Sequence, residues 1–489
     1  MKIKYLLMAM ATVAISQNAS AQYSQDAIRF SGSQVGSTSR IKAIGDANIA
    51  VGGDLTSIGG NPAGLGFFTR SEASITPEFN QSRATGSYLN ATTKDKRNDG
   101  NFNNASIVFY GQLNKQRGED KTHGWLSVNF GANYVRTNNF YQNTYYSGVN
   151  GSSSIADYYA NLANQALDNG YSLDGYLEGW ARDQRLINLN SSNFYEPSTT
   201  LGGTQSNLIT ATGGQTEYNF SFGANYSNKL YIGAGFGITN IRYNYNSQFT
   251  EDNYEYVNVN KDFVSTYTRD QVTKGNGFNG RLGLIYKPVE AVRIGATVTT
   301  PTWYNIDDSS YEGLSTTYQG EARRTAGSTY PASYNLRTPF KVGGGLAIFA
   351  GKYGFITGDV EYLDYSSAKL SSNDFDVSQD NADIKRYYGS AVNARFGAEA
   401  RIPGNFFLRG GYGIQGNPVK NDATAKVGSD VKTISGGLGY RFGDYYIDAT
   451  YVNVKRSATQ YPYEIGDLSP AAALKYNNNN LFLTLGIRF

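Results

Sequence analysis

The last nine residues, Leu481-Phe482-Leu483-Thr484-Leu485-Gly486-Ile487-Arg488-Phe489, constrain the fold most. Leu481, Leu483, Leu485, Ile487 and Phe489 share one parity, and Phe482, Thr484, Gly486 and Arg488 share the other. A period of two puts these sets on opposite faces of a β-strand. The pattern recurs. Ile232, Ala234, Phe236 and Ile238 alternate with Gly233, Gly235 and Gly237; Ile294, Ala296 and Val298 with Arg293, Gly295 and Thr297; Phe396, Ala398 and Ala400 with Arg395, Gly397 and Glu399. A soluble sandwich would have to bury every apolar residue of the terminal strand and then stop without a turn. An apolar outer face backed by a polar inner face is instead the repeat of a membrane-spanning barrel. No stretch approaches the roughly 20 apolar residues of a membrane helix. Lipid offers backbone groups no partner, so strands that cross it must close on themselves. The expected fold is all-β: a transmembrane antiparallel β-barrel.

Composition removes most other chemistry. The 489 residues include no cysteine and one histidine, His123. Thiolate sites, disulfides and multi-histidine metal sites drop out, so neither cofactor nor metal is expected. Catalysis of the Ser-His-Asp kind would need His123, which stands in a turn beside Glu119 and Lys121, and an enzyme is not expected. A formal charge of +3 without basic clusters leaves no footprint for nucleic acid. Gly233-x-Gly235-x-Gly237 mimics a nucleotide fingerprint, but it lies inside an alternating strand and reads as wall.

The chain divides into three parts. Residues 1–21 carry Lys2 and Lys4, an apolar run from Tyr5 to Ile15, and the small-x-small site Ala19-Ser20-Ala21, the form of a secretory signal peptide. Residues 22–70 do not alternate. They are rich in glycine yet carry Ile28, Phe30, Ile41, Ile44, Leu55, Ile58, Leu65 and Phe67, too apolar for a loose tail, and predict an N-terminal plug, or hatch, inside the lumen. Residues 71–489 are the barrel. Six short links and seven long ones, the latter near 91–101, 147–213, 251–262, 302–332, 366–385, 417–430 and 461–478, predict about 14 strands.

The order of a signal peptide, a Gly45-Asp46-Ala47 element, an Asn61-Pro62-Ala63-Gly64-Leu65-Gly66 element and about fourteen strands ending in Phe489 resembles the FadL-type outer-membrane transporters, in particular the Bacteroidetes-type branch often labelled hemin receptor. The resemblance implies the outer membrane of a Gram-negative bacterium and a hatch in which Asp46, Asn61, Pro62, Ala63 and Gly64 take part in gating. It also implies a hydrophobic small molecule such as a long-chain fatty acid as ligand. Membrane lipid and lipopolysaccharide would be the surroundings, and a monomer is expected. Axial-ligand chemistry gives the hemin label no support, with one histidine and three methionines in the whole chain. The resemblance also implies a kink in the third strand; Gly131 is the candidate, since glycine in a strand often marks a bulge.

Two further features bear on function. The polar faces carry Arg281, Arg395, Glu399, Arg409, Asp448 and Arg488 among other charges, expected to pair across the lumen unless one arginine meets a ligand carboxylate. In the loop 147–213, Ile155, Tyr158, Tyr159, Leu162 and Ala166, then Leu173, Tyr176, Leu177 and Trp180, have helical spacing. Two short amphipathic helices either pack as a cap or form a surface groove, with Leu162, Leu173, Leu177 and Trp180 as the ligand-binding candidates. The leading expectation is passive transport by surface capture, a plug-gated pocket and lateral release. The alternative is a binding or assembly module anchoring a secretion machine without transport.

Overall fold

A computed structural model describes residues 16–32, 36–114, 120, 122–420 and 429–489, with side chains described from Tyr23 onward. The expected signal peptide lies largely outside these residues; the cleavage site expected after Ala21 falls within a helix, α1 (Ser16–Ser31).

Fourteen antiparallel strands form one closed sheet. They are β1 (Glu72–Tyr88), β2 (Ala91–Phe109), β3 (Trp125–Asn139, resuming as Gln142–Asn150), β4 (Gly203–Tyr226), β5 (Leu230–Glu255), β6 (Lys261–Val289) and β7 (Val292–Thr299, then Trp303–Tyr318). The second half comprises β8 (Arg324–Arg337, then Lys341–Phe349), β9 (Gly354–Asp364, then Lys369–Ser371), β10 (Ser390–Ile402), β11 (Phe406–Gln415), β12 (Val431–Phe442), β13 (Tyr445–Gln460) and β14 (Ala472–Arg488). β1 pairs with β14 from Glu72↔Arg488 to Tyr88↔Ala472, which closes the ring. No helix among the described residues is long and apolar enough to cross a membrane.

The alternation in the sequence is the alternation of the wall. Ile232, Phe236, Ile238, Ile294, Val298, Phe396, Leu481 and Leu485 are exposed on the outside, while Tyr231, Asp359, Arg395, Glu399 and Thr484 are buried inside. Tyrosine and tryptophan collect at two levels of the outer face: Trp125 and Tyr226 near the short turns, Tyr134 and Tyr218 eight or nine residues further along their strands. At about 3.3 Å per residue this frames a belt about 25 Å tall, the thickness an outer-membrane barrel presents to lipid.

Several strands are longer than expected. The loop expected near 91–101 is strand, and β1 and β2 meet in a two-residue turn at Leu89-Asn90, both with positive φ (47° and 66°). The loop expected across 302–332 shrinks to 319–323, and that at 251–262 to 256–260. The reason is height. Above the lipid belt the outer face meets water, so a run such as Lys94-Asp95-Lys96-Arg97-Asn98-Asp99 loses its apolar parity while its backbone still pairs fully with β1.

Residues 37–68 fill the lumen. Their hydrogen bonds reach β2 (Asn103 Nδ2 to Ser37 O, 2.6 Å), β3 (Asn129 Nδ2 to Leu65 O, 2.6 Å), β4 (Ser221 Oγ to Ile58 O, 2.7 Å), β9 (Ile49 N to Asp359 Oδ2, 2.8 Å), β12 (Gly45 N to Ser435 Oγ, 3.1 Å) and β14 (Ser39 N to Thr484 Oγ1, 2.7 Å). Only a body inside the ring can touch so many of its strands. It comprises α2 (Ser39–Ala43) and two 3₁₀ turns, Leu55–Ile58 and Pro62–Phe67, capped by the side chains of Thr38, Asp54 and Asn61. Such caps satisfy amide groups that would otherwise be orphaned away from water.

Wall glycines make room for this body. Gly223, Gly233 and Gly283 sit opposite one another on β4, β5 and β6, and a Cβ at any of them would overlap the Asn61-Pro62-Ala63 segment or Leu65. Gly397 and Gly411, paired on β10 and β11, do the same for Ile44 and Gly45. The plug therefore rests on bare wall backbone.

Candidate functional site

The site is built from the plug, the wall beside it and the lid above. In the plug, Asn61 Nδ2 donates to the Ile49 carbonyl at 2.7 Å and its Oδ1 accepts from the Ala63 amide at 3.1 Å. Pro62 starts the 3₁₀ turn, where its missing N–H is no loss. Ala63 and Gly64 are buried, and a Cβ on Gly64 would overlap Ser57. Asp46 has a left-handed backbone (φ 63°) just past α2; its carboxylate accepts from Ser37 Oγ at 2.6 Å and pairs with Lys42 at 3.1 Å. The hatch residues expected from the sequence are thus brought together as the framework of one lumen body.

Ions fasten that body to the wall. Arg40 of α2 pairs with Glu399 of β10 at 2.8 Å and approaches Asp54 at 3.7 Å. Glu399 also accepts from Arg409 of β11 at 2.8 Å, and Arg409 pairs in turn with Asp448 of β13. Arg281–Glu217 (2.6 Å), Arg395–Glu361 (3.0 Å) and Arg488–Glu72 (2.8 Å) instead join one wall strand to another. Arg293 lies over the rings of Phe67 and Phe349, and Arg441 over Phe407 and Tyr446. Most of the lumen arginines singled out in the sequence have structural partners.

The loop between β3 and β4 makes the lid. It carries α3 (Ile155–Asp168), begun by a capping box of Ser154 and Asp157, and α4 (Leu177–Asp183). Leu173, Leu177 and Trp180 are buried against Tyr159, Phe249, Phe263, Leu314 and Tyr318, with Leu162 half-buried at the edge. Gln184 Nε2 donates to the Leu314 carbonyl at 3.0 Å, and Tyr318 donates back to the Gln184 carbonyl at 2.7 Å. The apolar faces that helical spacing revealed in the sequence are packed onto the upper wall, so Leu173, Leu177 and Trp180 lie in the core of a cap with Leu162 at its edge.

A second lid element was not legible in the sequence. Helix α1 packs through Tyr23, Ala27 and Phe30 against Tyr243, Tyr304, Ile306, Tyr334 and Leu336 of the wall, and against Ile384 of α5 (Ser378–Tyr387) in the β9–β10 loop. The Ser24 amide donates to Asp380 at 3.1 Å. Burial pushes Asp380 up to about 7, with Asp383 and Asp26 adding to it. Asp26 is pushed up to about 6, again chiefly by burial, with Arg29 working the other way.

The wall is broken beside the plug, and higher up β8 from Arg324 to Tyr334 likewise lacks a ladder partner on its β9 side. β2 pairs with β3 only from Phe109↔Phe130 to Asn104↔Val135. Beyond this the β3–β4 register slips between Arg136 and Asn138 and the strand lapses before resuming at Gln142. The upper half of β3 leans over the β1–β2 hairpin, with Tyr146 buried and its ring 4.9 Å from that of Tyr88. β2 from Ala91 to Asn103 is left without a ladder partner on this side. Gly131 lies in unbroken register with Val108 and Ser221. The kink expected there falls instead at 136–141. Gly131 is glycine for a different reason: a Cβ would come within 2.7 Å of Ile58 Cγ1 of the plug.

No protein-family model matches the sequence, and no curated protein matches it. Solved structures do resemble it. A FadL homologue of Pseudomonas aeruginosa superposes with a TM-score of 0.54 at 12% identity, over 93% of this chain and 98% of that one. The TodX monoaromatic hydrocarbon channel carrying the deltaS2 mutation gives a TM-score of 0.56 at 12% identity, over 93% and 99%. The Pseudomonas putida toluene transporter TodX gives 0.50 at 13%, over 92% and 97%. The chain has the fold of the FadL-type outer-membrane channels.

Proposed function

We propose that this barrel is a passive outer-membrane transporter of a hydrophobic ligand, of which a long-chain fatty acid is the type. The observation that carries the reading is the unpaired edge of β2 opposite the kinked β3. The edge opens just above the outer girdle, where water can solvate unpaired backbone that lipid would penalise by several kcal/mol per group. The gap opens level with Phe102 and Tyr134, whose rings lie 6.1 Å apart at the outer girdle. A solute leaving there enters the outer leaflet at its boundary, without crossing the full plug.

Burying methylene groups yields about 0.8 kcal/mol each, so a chain of about 14 gains on the order of 11 kcal/mol as an upper bound on moving from water to lipid. Transfer down that gradient needs no energy source. The α3–α4 cap and the α1–α5 contact close the mouth in this state, and capture requires one of them to part. The test uses the absence of native cysteine. Asn101→Cys and Arg136→Cys place one thiol on each side of the gap, and a short bis-maleimide joins them. Proteoliposome uptake of pyrene, a neutral hydrophobic probe, is expected to fall at least tenfold on cross-linking. Undiminished uptake refutes lateral release, and no uptake by the uncrosslinked protein refutes transport.

A further inference from the structure

A cavity of about 110 Å³ lies between the plug, the inner faces of β1 and β2, and the β3 kink. One water needs roughly 10–15 Å³ on the same measure, so the space holds several waters or a small chemical group. A route for hydrocarbon would be expected to have an apolar lining here. This cavity is polar: Glu78, Asn80, Ser82, Asp99, Arg136 and Asn478 are among its walls.

The hydrogen-bonding ledger of these walls is one-sided. Glu78 is 7% exposed and has no ion pair within 4 Å among the described residues. Lys42 pairs with Asp46 at 3.1 Å and Arg395 with Glu361 at 3.0 Å, so the other two cations at the cavity each already serve a carboxylate. Asp99 accepts from the amides of Asn80, Asn101 and Asn139, all through Oδ2, and its Oδ1 has no partner in the protein. Asn80 Oδ1, Ser82 Oγ and Asn478 Oδ1 are likewise unpartnered. Arg136 spends its terminal nitrogens on Asn101 at 2.7 Å and the Gly213 carbonyl at 2.8 Å, leaving only Nε. Of the fully buried, unpartnered atoms on these walls, four are oxygens and one, Arg136 Nε, carries an N–H, with the Glu78 carboxyl beside them. Buried polar groups require partners, which water supplies at rest. A ligand that displaces that water must bring donors, not acceptors.

We propose that this cavity is a recognition site for a hydrogen-bond-donating head group, an ammonium or a cluster of hydroxyls, attached to the apolar body that leaves through the β2–β3 gap. The inference deepens the transport reading and rests on it for the route, while the site itself stands on Glu78 and the unpartnered oxygens. It sets the preferred cargo apart from a simple carboxylate: an anionic head would meet Glu78 and Asp99, while Lys42 and Arg395 already balance Asp46 and Glu361.

The test measures binding to the full mature protein in amphipol by calorimetry, with octylamine, octyl glucoside and octanoate below their micellar concentrations. At least one of the two donor-bearing probes is expected to bind tenfold or more tightly than octanoate. Glu78→Gln is expected to abolish the preference for octylamine and to spare octyl glucoside, which separates an ammonium source from a hydroxyl source. Asn80→Leu with Ser82→Ala is expected to reduce both. Octanoate binding as tightly as either donor probe overturns the proposal, as does a donor preference that survives all three substitutions, or the lack of saturable binding by octylamine and octyl glucoside alike. Heat-dependent gel mobility confirms that each variant remains a closed barrel. Loss of uptake in the wild type would remove the transport reading without touching the binding preference.

Discussion

Asn61 holds Ile49 across the plug: its side-chain amide donates to the Ile49 carbonyl at 2.7 Å, while the same amide group caps Ala63. Two segments twelve residues apart are joined by one side chain inside a body that has little regular structure of its own. Asn61→Ala removes the cap and the bridge together. A loss of about 1–3 kcal/mol of local stability is expected, since a cap is worth ~1 kcal/mol and an unsatisfied buried carbonyl costs a similar amount. Hydrogen exchange of amides 45–67 is expected to accelerate tenfold or more, with strand amides unchanged. Equal protection in the variant would show that the wall alone holds the plug.

The glycines of the wall make an opposite prediction, in which the barrel changes and the plug suffers. Gly233→Val places branched carbon where Pro62 and Ala63 lie against β5. Overpacking of this kind costs typically 1–3 kcal/mol and is relieved by moving the plug, because β5 is paired on both sides. The variant is expected to keep its heat-dependent mobility and to sensitise cells to bulky antibiotics several-fold. Gly344→Val, whose Cβ would meet nothing within 4 Å, is the matched control.

Arg409 is fully buried and serves Glu399 and Asp448 at once. Arg409→Met leaves two buried carboxylates, one still shared with Arg40. Breaking one partner from a buried ionic network typically costs 3–5 kcal/mol. The barrel's unfolding temperature is expected to fall, and a further Asp448→Asn substitution is expected to recover part of it. No recovery would mean that packing, and not charge, is what Arg409 supplies.

The α1–α5 contact should respond to pH. Both Asp380 (about 7) and Asp26 (about 6) bind protons more tightly in the folded state than their ordinary value near 3.8. The stabilisation is therefore complete below pH 4 and is lost as pH rises through 6 and 7. Exchange of the amides from Ser24 to Ser31 is expected to be slower at pH 5 than at pH 8 after correction for intrinsic rates. Asp380→Asn should flatten most of this difference. A contact that tightens with rising pH would contradict the assignment.

The barrel was legible because lipid enforces parity: Ile232 to Ile238 and Leu481 to Phe489 had to alternate. Where a strand stands in water on one side and faces polar lumen on the other, as in Lys94 to Asp99, no such rule operates and the strand passed for a loop. The hatch motif at Asn61-Pro62-Ala63 was visible, but the reason for Gly233 and Gly283 was not, since it lies in a plug close in sequence to neither. Helical spacing located Leu173, Leu177 and Trp180; whether their faces turn to solvent or to Phe249 and Tyr318 depends on strands far along the chain. The kink at 136–141 had no sequence signal, because the groups that meet it, the Gly213 carbonyl accepting from Arg136 and from the Phe140 amide, lie on a strand more than seventy residues away.

β6 runs for 29 residues, whereas about 9–11 cross a membrane. At roughly 3.3 Å per residue and a tilt near 40°, it climbs about 70 Å against a lipid belt of ~25 Å. On this side the wall rises some tens of ångströms over the leaflet. The rim is therefore slanted, tall over β5 and β6 and low over β10 to β12, whose strands have only 10 to 13 residues.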